Sequence, residues 1–216
     1  DLTATGTSTL STVDINAGSI DGTAIGANSA STGAFTTLSA TGNSTVGGTF
    51  GVTGATTLNG GLTLNSSSIS LGTNSTSSGS NSTALGYNST ASGNNSIAIG
   101  ASTANNSGSI AIGNSASSTG GDSVSLGGQA SASGTDSVAL GGNASATAQN
   151  SYAIGKSASA GHSDSIAIGS SAETTGANQI VLGTSSETTI IKGDLTTNGT
   201  STLSTVDING GAVDGT

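Results

Sequence analysis

The chain offers few side chains that could carry out catalysis or bind a metal ion. Among 216 residues it has one histidine, His162, two lysines, Lys156 and Lys192, and no cysteine. His162 stands at a place in a repeated pattern that usually holds glycine, which is typical of an exposed turn. No Gly-x-Ser-x-Gly sequence supports a Ser–His–Asp triad. We therefore predict no catalytic residue, and we predict that the chain is not an enzyme.

Two further patterns resemble ligand sites. Asp122, Asp136 and Asp164 recur at one position of the repeat, which makes a Ca²⁺ site an alternative. Asn fills the same position elsewhere, and the Gly-Gly-x-Gly-x-Asp pattern of calcium β-rolls is missing, so we favour Asx turns at corners. Residues 150–157 imitate a phosphate-binding loop but lack its first glycine. We predict no metal site, no cofactor-binding residue and no cofactor.

These residues belong to a short repeat, Asn/Asp-Ser-Ile/Val-Ala-Ile/Leu-Gly. A glycine closes each copy, and the closing glycines are 14 residues apart except for one spacing of 13. A fixed short period is the signature of a solenoid. The closing glycines are Gly72, Gly86, Gly100, Gly113, Gly127, Gly141, Gly155, Gly169 and Gly183.

Residues 128–141 serve to number the repeat from position 1 to position 14. Positions 11 and 13 hold large aliphatic residues such as Ile97 and Ile99, and position 12 is mostly Ala. Because residues two apart on a strand share a face, we expect the aliphatic pairs to form a thin core. The Ala row would then face outward, towards another chain. Ala at position 3, followed by Ser, predicts a second strand, and turns are expected at positions 7 and 9.

The sequence therefore predicts an all-β fold, a parallel β-solenoid of nine coils over 68–183. Coils of this kind stack about 4.8 Å apart. Burying two aliphatic side chains per coil contributes about 3–6 kcal/mol, while ordering one coil's backbone costs on the order of 14–28 kcal/mol. Backbone hydrogen bonds offset part of that cost. We still expect a single roll to be marginal and several chains to pack around a shared axis.

Composition narrows the functional classes. The net charge is −9 with only two cations, which argues against nucleic-acid binding. No apolar run approaches the ~18 residues of a membrane-spanning helix. The chain has 36 Gly, no Pro and 6% charged residues, but its aliphatic residues are periodic, which argues against disorder. The absence of Cys suits an extracellular protein.

A second, longer repeat sets the domain organisation. Residues 194–216 duplicate 1–23 with five differences, an offset of 193 residues. We expect the chain to be a piece of a long tandem array. The predicted divisions are a Thr/Gly-rich β fibre segment at 1–67, the β-roll at 68–183, and a cap with the start of the next repeat at 184–216. Ile190 and Ile191 are expected to cap the last coil.

The repeat at 68–183 resembles the head of trimeric autotransporter adhesins, the YadA-like head. This resemblance implies a left-handed β-roll, a homotrimeric fibre and a bacterial surface. The flanks at 22–38 and 180–193 resemble repeats of phage tail fibres and of large repetitive surface proteins, which are also trimeric and β-rich. That likeness implies a β-prism or intertwined β segment at each end.

We thus predict a structural extracellular fibre segment that acts as a trimeric spacer with an adhesive surface, at the cell surface or in a virion fibre. The alternative is a binding module, either a receptor-binding phage tail fibre or a host-adhesion head. Its partners would be a host or surface receptor or a glycan, with no nucleic acid and no membrane in this segment. Ice binding through the Thr rows of 1–64 is a third interpretation.

Overall fold

The computed structural model describes residues 67–202 together with Thr5, Thr41, Ser44, Val46, 50–54 and Thr56. The backbone contacts divide the chain into two units, Asp1–Asn59 and Gly60–Thr216. All of the described strands lie in the second unit. The β-prism or intertwined segments expected at 1–67 and 184–216 fall largely outside the described residues, and the described stretch 184–202 contains no strand.

Short strands of three and two residues alternate along the roll, and the last one follows a three-residue strand directly. They are β1 Ile69–Leu71, β2 Thr76–Ser77, β3 Thr83–Leu85, β4 Thr90–Ala91, β5 Ile97–Ile99, β6 Thr103–Ala104, β7 Ile110–Ile112, β8 Ser117–Ser118, β9 Val124–Leu126, β10 Ser131–Ala132, β11 Val138–Leu140, β12 Ser145–Ala146, β13 Tyr152–Ile154, β14 Ser159–Ala160, β15 Ile166–Ile168 and β16 Ile180–Leu182.

The strands form two parallel sheets. The three-residue strands build a nine-stranded sheet in the order β1-β3-β5-β7-β9-β11-β13-β15-β16, and the two-residue strands build a seven-stranded sheet from β2 to β14. Each residue pairs with its equivalent in the next coil, as Val138 does with Tyr152. Within the described residues there is no helix. The predicted all-β parallel β-solenoid is confirmed, while its left hand remains a prediction from the resemblance.

Backbone hydrogen bonds run from coil to coil and also continue through the corners. Val138 N donates to Ser151 O at 2.9 Å in the larger sheet, and Ser131 N donates to Ala144 O at 2.8 Å in the smaller sheet. At one corner Asp136 N donates to Gly121 O at 2.9 Å. The stack therefore satisfies backbone groups that a free corner would leave to water.

The Asn/Asp residues at position 9 make the corner that the sequence predicts. Their φ angles lie between 51° and 59°, in the left-handed region that Asn and Asp tolerate. A second left-handed corner lies at position 2, where Ser and Gln also occur, and the sequence analysis missed it because those residues carry no turn signal. The position 2 residues are Asn74, Asn88, Ser115, Gln129, Asn143, Ser157 and Ser171.

The serine of each Asn/Asp-Ser pair closes the corner from inside. Ser137 Oγ donates to Gly134 O at 2.6 Å, and Ser96 Oγ donates to Gly93 O at 2.6 Å. Both serines are fully buried. Among the described residues, no buried side-chain nitrogen or oxygen lacks a hydrogen-bond partner. The buried hydroxyl at position 10 is thus satisfied by a hydrogen bond to a backbone carbonyl within the same turn.

Glycine at position 7 allows the next coil to approach closely, although Ala148 and His162 occupy the same position in two coils. A Cβ on Gly134 would lie 1.9 Å from the Ala148 carbonyl oxygen of the next coil. The closing glycine is constrained in two ways. Gly127 has a φ of +136°, and a Cβ on it would lie 2.6 Å from Gly141 O. The close approach at both positions comes from the stack, because the atoms in the way belong to the following coil.

The 13-residue spacing is absorbed in one turn. In ordinary coils the position 3 amide bonds the closing glycine three residues back, as Ala130 N does to Gly127 O at 3.2 Å. In the short coil Ser102 N bonds Gly100 O, two residues back, at 2.8 Å. The strands beyond keep their register, with Thr103 paired to Thr90. The left-handed residue of that corner is the one that is dropped.

The interior of the roll is built from Ala and Ser, so the prediction of an aliphatic core was wrong. At position 12, Ala98 and Ala139 are fully buried and face fully buried residues such as Ala132 in the smaller sheet. Val138 is only half-buried and Leu140 is 40% exposed. The turns joining the two sheets are short, and the side chains buried between the sheets are correspondingly small. The buried side chains are methyl and hydroxymethyl groups except in the last coil, where Thr174 is buried and Val181 is partly buried.

Beyond β16, residues 184–202 contain no strand. Ile190 is 75% exposed and Ile191 is 53% exposed, so neither is buried against the last coil in a single chain. Val181, at position 12 of the last coil, is instead partly buried against the Ala interior. The capping role of Ile190 and Ile191 therefore stays a prediction for the assembled fibre.

Candidate functional site: two opposite faces of the roll

The larger sheet presents its big apolar side chains outward, and we call this surface the aliphatic face. Ile99, Leu126 and Ile168 are 36%, 41% and 38% exposed. Position 13 holds Leu or Ile in all nine strands, whereas position 11 also includes Thr83 and Tyr152. The position 13 members are Leu71, Leu85, Ile99, Ile112, Leu126, Leu140, Ile154, Ile168 and Leu182.

The aliphatic face is continuous because the register is unbroken. Equivalent residues are paired from β1 through β16, so the apolar position 13 row runs the length of the sheet, and the position 11 row beside it is interrupted at Thr83. Nine strands at about 4.8 Å spacing extend roughly 40 Å. Monomeric proteins rarely expose apolar patches that are this continuous, and such patches mark association surfaces.

The smaller sheet presents hydroxyl groups outward at positions 4 and 6, and we call this surface the hydroxyl face. Its position 4 side chains are mostly half-buried, and its position 6 side chains are exposed. From Thr76 to Ser159 it carries no charge, and one amide, Asn105, accepts from Ser92 Oγ at 2.8 Å. Its members are Thr76, Ser78, Thr90, Ser92, Thr103, Asn105, Ser117, Thr119, Ser131, Ser133, Ser145, Thr147 and Ser159.

The two corners separate these faces and carry short side-chain ladders. Asn150 Nδ2 donates to Asp164 Oδ1 at 2.9 Å, one coil away. Asn74 Nδ2 donates to Asn88 Oδ1 at 3.2 Å at the other corner. All of these contacts are exposed, so water competes with them and each adds little stability.

The structure places the chemically capable side chains on the surface. His162 and Lys156 are exposed at turns, and the His162 carbonyl accepts a hydrogen bond from Ser165 Oγ. Asp122 and Asp136 are exposed at adjacent corners. In the part of the chain that the structure describes, no group of three or more His, Cys, Asp or Glu side chains comes together to hold a metal ion. The Asp row therefore lies where the predicted Asx corners place it.

The C-terminal end of the roll has one ionised contact. Glu187 accepts hydrogen bonds from the hydroxyl and the backbone N–H of Thr184, and these bonds hold the pKa of its carboxyl below the ordinary value. An open depression of about 420 Å³ lies beside it, lined by residues that include Glu173 and Val181. The part of the chain that the structure describes contains no helix that could cross a membrane.

Comparison with known proteins places this geometry in a family. The model of the YadA head domain repeat matches residues 65–89, 77–103, 91–116, 118–144, 146–172 and 163–186. These matches cover more than half of the chain, and the chain belongs to the family of YadA head repeats, which are β-roll segments of adhesins.

A solved structure is also similar. The crystal structure of the collagen-binding domain of the Yersinia adhesin YadA has 29% sequence identity and a TM-score of 0.48. The match covers 68% of this chain and 94% of the Yersinia domain. No curated protein sequence matches the chain significantly.

Proposed function

We propose that the chain is a structural segment of a surface adhesin, in which three copies bury their aliphatic faces against one another and no catalysis takes place. The observation that carries this proposal is the outward, unbroken position 13 row, which includes Leu126 and Leu140. Water is displaced from this row only when another molecule covers it, and each Å² of apolar surface buried contributes about 25 cal/mol.

A closed ring of identical chains is the simplest way to cover that face. Copies related by a rotation axis present the same rows to one another, so the ring closes and does not grow sideways. The number three follows from the resemblance to trimeric autotransporter adhesins. In such a ring the hydroxyl face points away from the axis and stays available to a ligand.

The hydroxyl face is the proposed adhesive surface. It offers donors and acceptors without charge, which suits an uncharged partner such as a matrix protein or a glycan.

A virion fibre draws no support from the family match. The Thr rows suggested for ice binding lie in 1–64, almost entirely outside the described residues, and the rows of the roll mix Thr, Ser and Asn. We also retain 1–67, 68–183 and 184–216 as the proposed divisions of the chain.

Light scattering after size exclusion tests the assembly. We expect the full chain to elute at three times its mass of 20.0 kDa. The double variant Leu126→Glu and Leu140→Glu should lower that mass, because it places charges in the shared apolar contact. The matched control, Ser117→Glu and Ser131→Glu, changes the opposite face of the same coils and should leave the mass unchanged. A folded, monodisperse single chain in the wild type would refute the trimer.

Binding to a panel of matrix proteins and glycans tests adhesion. The panel includes collagen, the ligand of the Yersinia domain. We expect at least one ligand to bind the trimer and to be lost in a variant with Thr119→Glu and Ser133→Glu. A trimer that binds nothing on the panel would reduce the segment to a spacer and leave the assembly proposal intact.

A further inference from the structure

Three identical tripeptides mark the N-terminal coils of the roll. Asn-Ser-Thr begins at Asn74, Asn81 and Asn88, seven residues or half a coil apart. The half-coil spacing places Asn74 and Asn88 at the position 2 corner of successive coils and Asn81 at the position 9 corner. All three are exposed, with φ angles of 58°, 56° and 53°. Asn143, with φ 57°, begins a related tripeptide, Asn-Ala-Ser.

Asn-x-Ser/Thr is the acceptor sequence for N-linked sugars in exported proteins. We propose that these corner asparagines carry N-linked sugars. In the transfer, Asn Nδ2 bonds to the anomeric carbon of a sugar held on a diphosphate carrier. The bond from that carbon to the diphosphate oxygen breaks, the diphosphate leaves, and the Nδ2 proton passes to a base of the transferase. No electrons are gained or lost.

The corners have room for the sugar. Asn74 Nδ2 and Asn81 Nδ2 are engaged only in exposed contacts of 3.2 Å and 3.4 Å to the next coil, which water replaces at little cost. The third residues, Thr76, Thr83 and Thr90, lie in β2, β3 and β4. A transferase therefore reads the tripeptide before the coil closes, and the folded corner then leaves the sugar in solvent.

Within the roll, two other asparagines begin the same kind of tripeptide but lie away from the left-handed corners. Asn94 Oδ1 accepts from Ser80 N at 3.0 Å, and Asn105 Oδ1 accepts from Ser92 Oγ at 2.8 Å. Each side chain is thus held against the neighbouring coil. A sugar on Asn94 or Asn105 would disturb these contacts when the coils stack, so the proposal is limited to the corner asparagines.

The charge distribution gives these sugars a role. No residue from 22 to 121 is charged, and the first charge of the roll is Asp122. Among the described strands, β1 and β2 lie at the edges of the two sheets at this end. Exposed sheet edges are normally protected from edge-to-edge pairing by charged side chains. Bulky hydrophilic sugars at Asn74, Asn81 and Asn88 would supply that protection where charge is missing.

The repeat contains its own controls. Asn95 and Asn150 occupy the position 9 corner with φ angles of 56° and 52°, and Ser follows each of them. Their third residues are Ile97 and Tyr152, which have no suitable hydroxyl on Cβ. A modification that requires the tripeptide will therefore spare Asn95 and Asn150, while one that depends only on corner exposure will not.

Peptide mass spectrometry on the full chain from the cells that produce it tests the proposal. Elastase digestion replaces trypsin because the chain has only two cleavable cations, and electron-transfer fragmentation locates each sugar. We expect hexose or N-acetylhexosamine masses on Asn74, Asn81 and Asn88, and none on Asn95 or Asn150. Bare asparagines at all three sites would overturn the proposal, as would equal modification of Asn95 and Asn150.

Variants separate the acceptor sequence from the fold. Thr76→Val and Thr90→Val keep a β-branched residue in the strand and remove the hydroxyl, so each should lose the sugar on Asn74 or Asn88 respectively. Thr103→Val is the matched control, because Thr103 stands at the same position of the next coil without an Asn two residues before it. Retention of the sugar in Thr76→Val and Thr90→Val would refute the proposal even if both proteins fold normally.

Discussion

At the scale of single residues, the fold of the roll depends on repeated Ser and Gly residues that have no catalytic or ligand-binding role in the sequence analysis. The repeated Ser is buried inside a corner, where its hydroxyl donates a hydrogen bond to a backbone carbonyl, and the repeated Gly makes space for a carbonyl of the next coil. Neither residue is chosen for its own conformation alone. The glycine is needed because a second coil lies about 4.8 Å away, whereas the serine hydroxyl bonds to a backbone carbonyl of its own turn.

Gly134 and Gly142 provide a matched pair for that idea. Gly134→Ala should lower the free energy of unfolding by about 1–3 kcal/mol, the usual cost of overpacking, because its Cβ would meet Ala148 O at 1.9 Å. Gly142→Ala has no atom nearer than Gly128 O at 3.8 Å and should change it by about 0.5 kcal/mol or less. Urea unfolding at one fixed protein concentration measures both. Equal effects of the two substitutions would contradict the close-approach account.

Glu187 gives a pH-dependent signal. Its folded pKa is lowered by the bonds from Thr184, so the contact is fully formed above the unfolded value of about 4.3 and is lost as the pH falls through the folded pKa. An NMR titration of the Thr184 amide should show a midpoint below that unfolded value. The titration should disappear in Glu187→Gln. A midpoint at or above the unfolded value would mean that the contact does not form in solution.

At the scale of elements, the sequence predicted the strands, the parallel stack and the position 9 corners, because period and Asn/Asp placement report them directly. It did not predict which face is inside. Ile97 and Ile99 looked like a core because large aliphatic residues are usually buried. Period alone cannot tell two faces of a strand apart, and the deciding quantity is the room between the sheets, which holds Ala and Ser side chains except in the last coil.

The arrangement with Ala inside the roll and the large aliphatic side chains outside can be tested by substitution. Ala139→Val should destabilise the roll by about 1–3 kcal/mol, because Ala139 is fully buried between neighbouring coils. Val181 occupies the equivalent position only in the last coil, where it is partly buried. Ser133→Val, on the exposed hydroxyl face of the same coil, is the control and should stay within about 0.5 kcal/mol. Denaturant unfolding followed by circular dichroism distinguishes them, and a neutral Ala139→Val would restore the aliphatic-core interpretation.

The sequence predicted only some features of the two candidate faces. The rows at positions 11 and 13 were evident, but their use for association follows from their exposure, with Leu126 at 41%. The hydroxyl face gave a weaker signal because Ser and Thr are common throughout the chain. The position 2 corner gave almost none, since Ser115 and Gln129 are unusual residues for a left-handed turn.

At the scale of the whole molecule, the roll is modular. Deleting residues 128–141 joins Gly127 to Gly142 and should leave a folded roll, with Val124 paired to Tyr152, because each coil contacts chiefly its neighbours. Deleting 128–134 alone removes β10 and its corner, so the two sheets lose register and the protein should fail to fold cooperatively. Circular dichroism and thermal melting compare the two deletions. Similar melting of both would contradict the coil as the structural unit.

The coil-to-coil hydrogen bonds, such as Val138 N to Ser151 O, point along the direction in which the roll grows. A load applied at the two ends of the roll would act along the length of these bonds, so we expect the roll to yield one coil at a time from its ends. Each released coil of about 14 residues extends to roughly 46–50 Å, where it had occupied only about 4.8 Å. A roll under tension would therefore lengthen about tenfold as its coils are released.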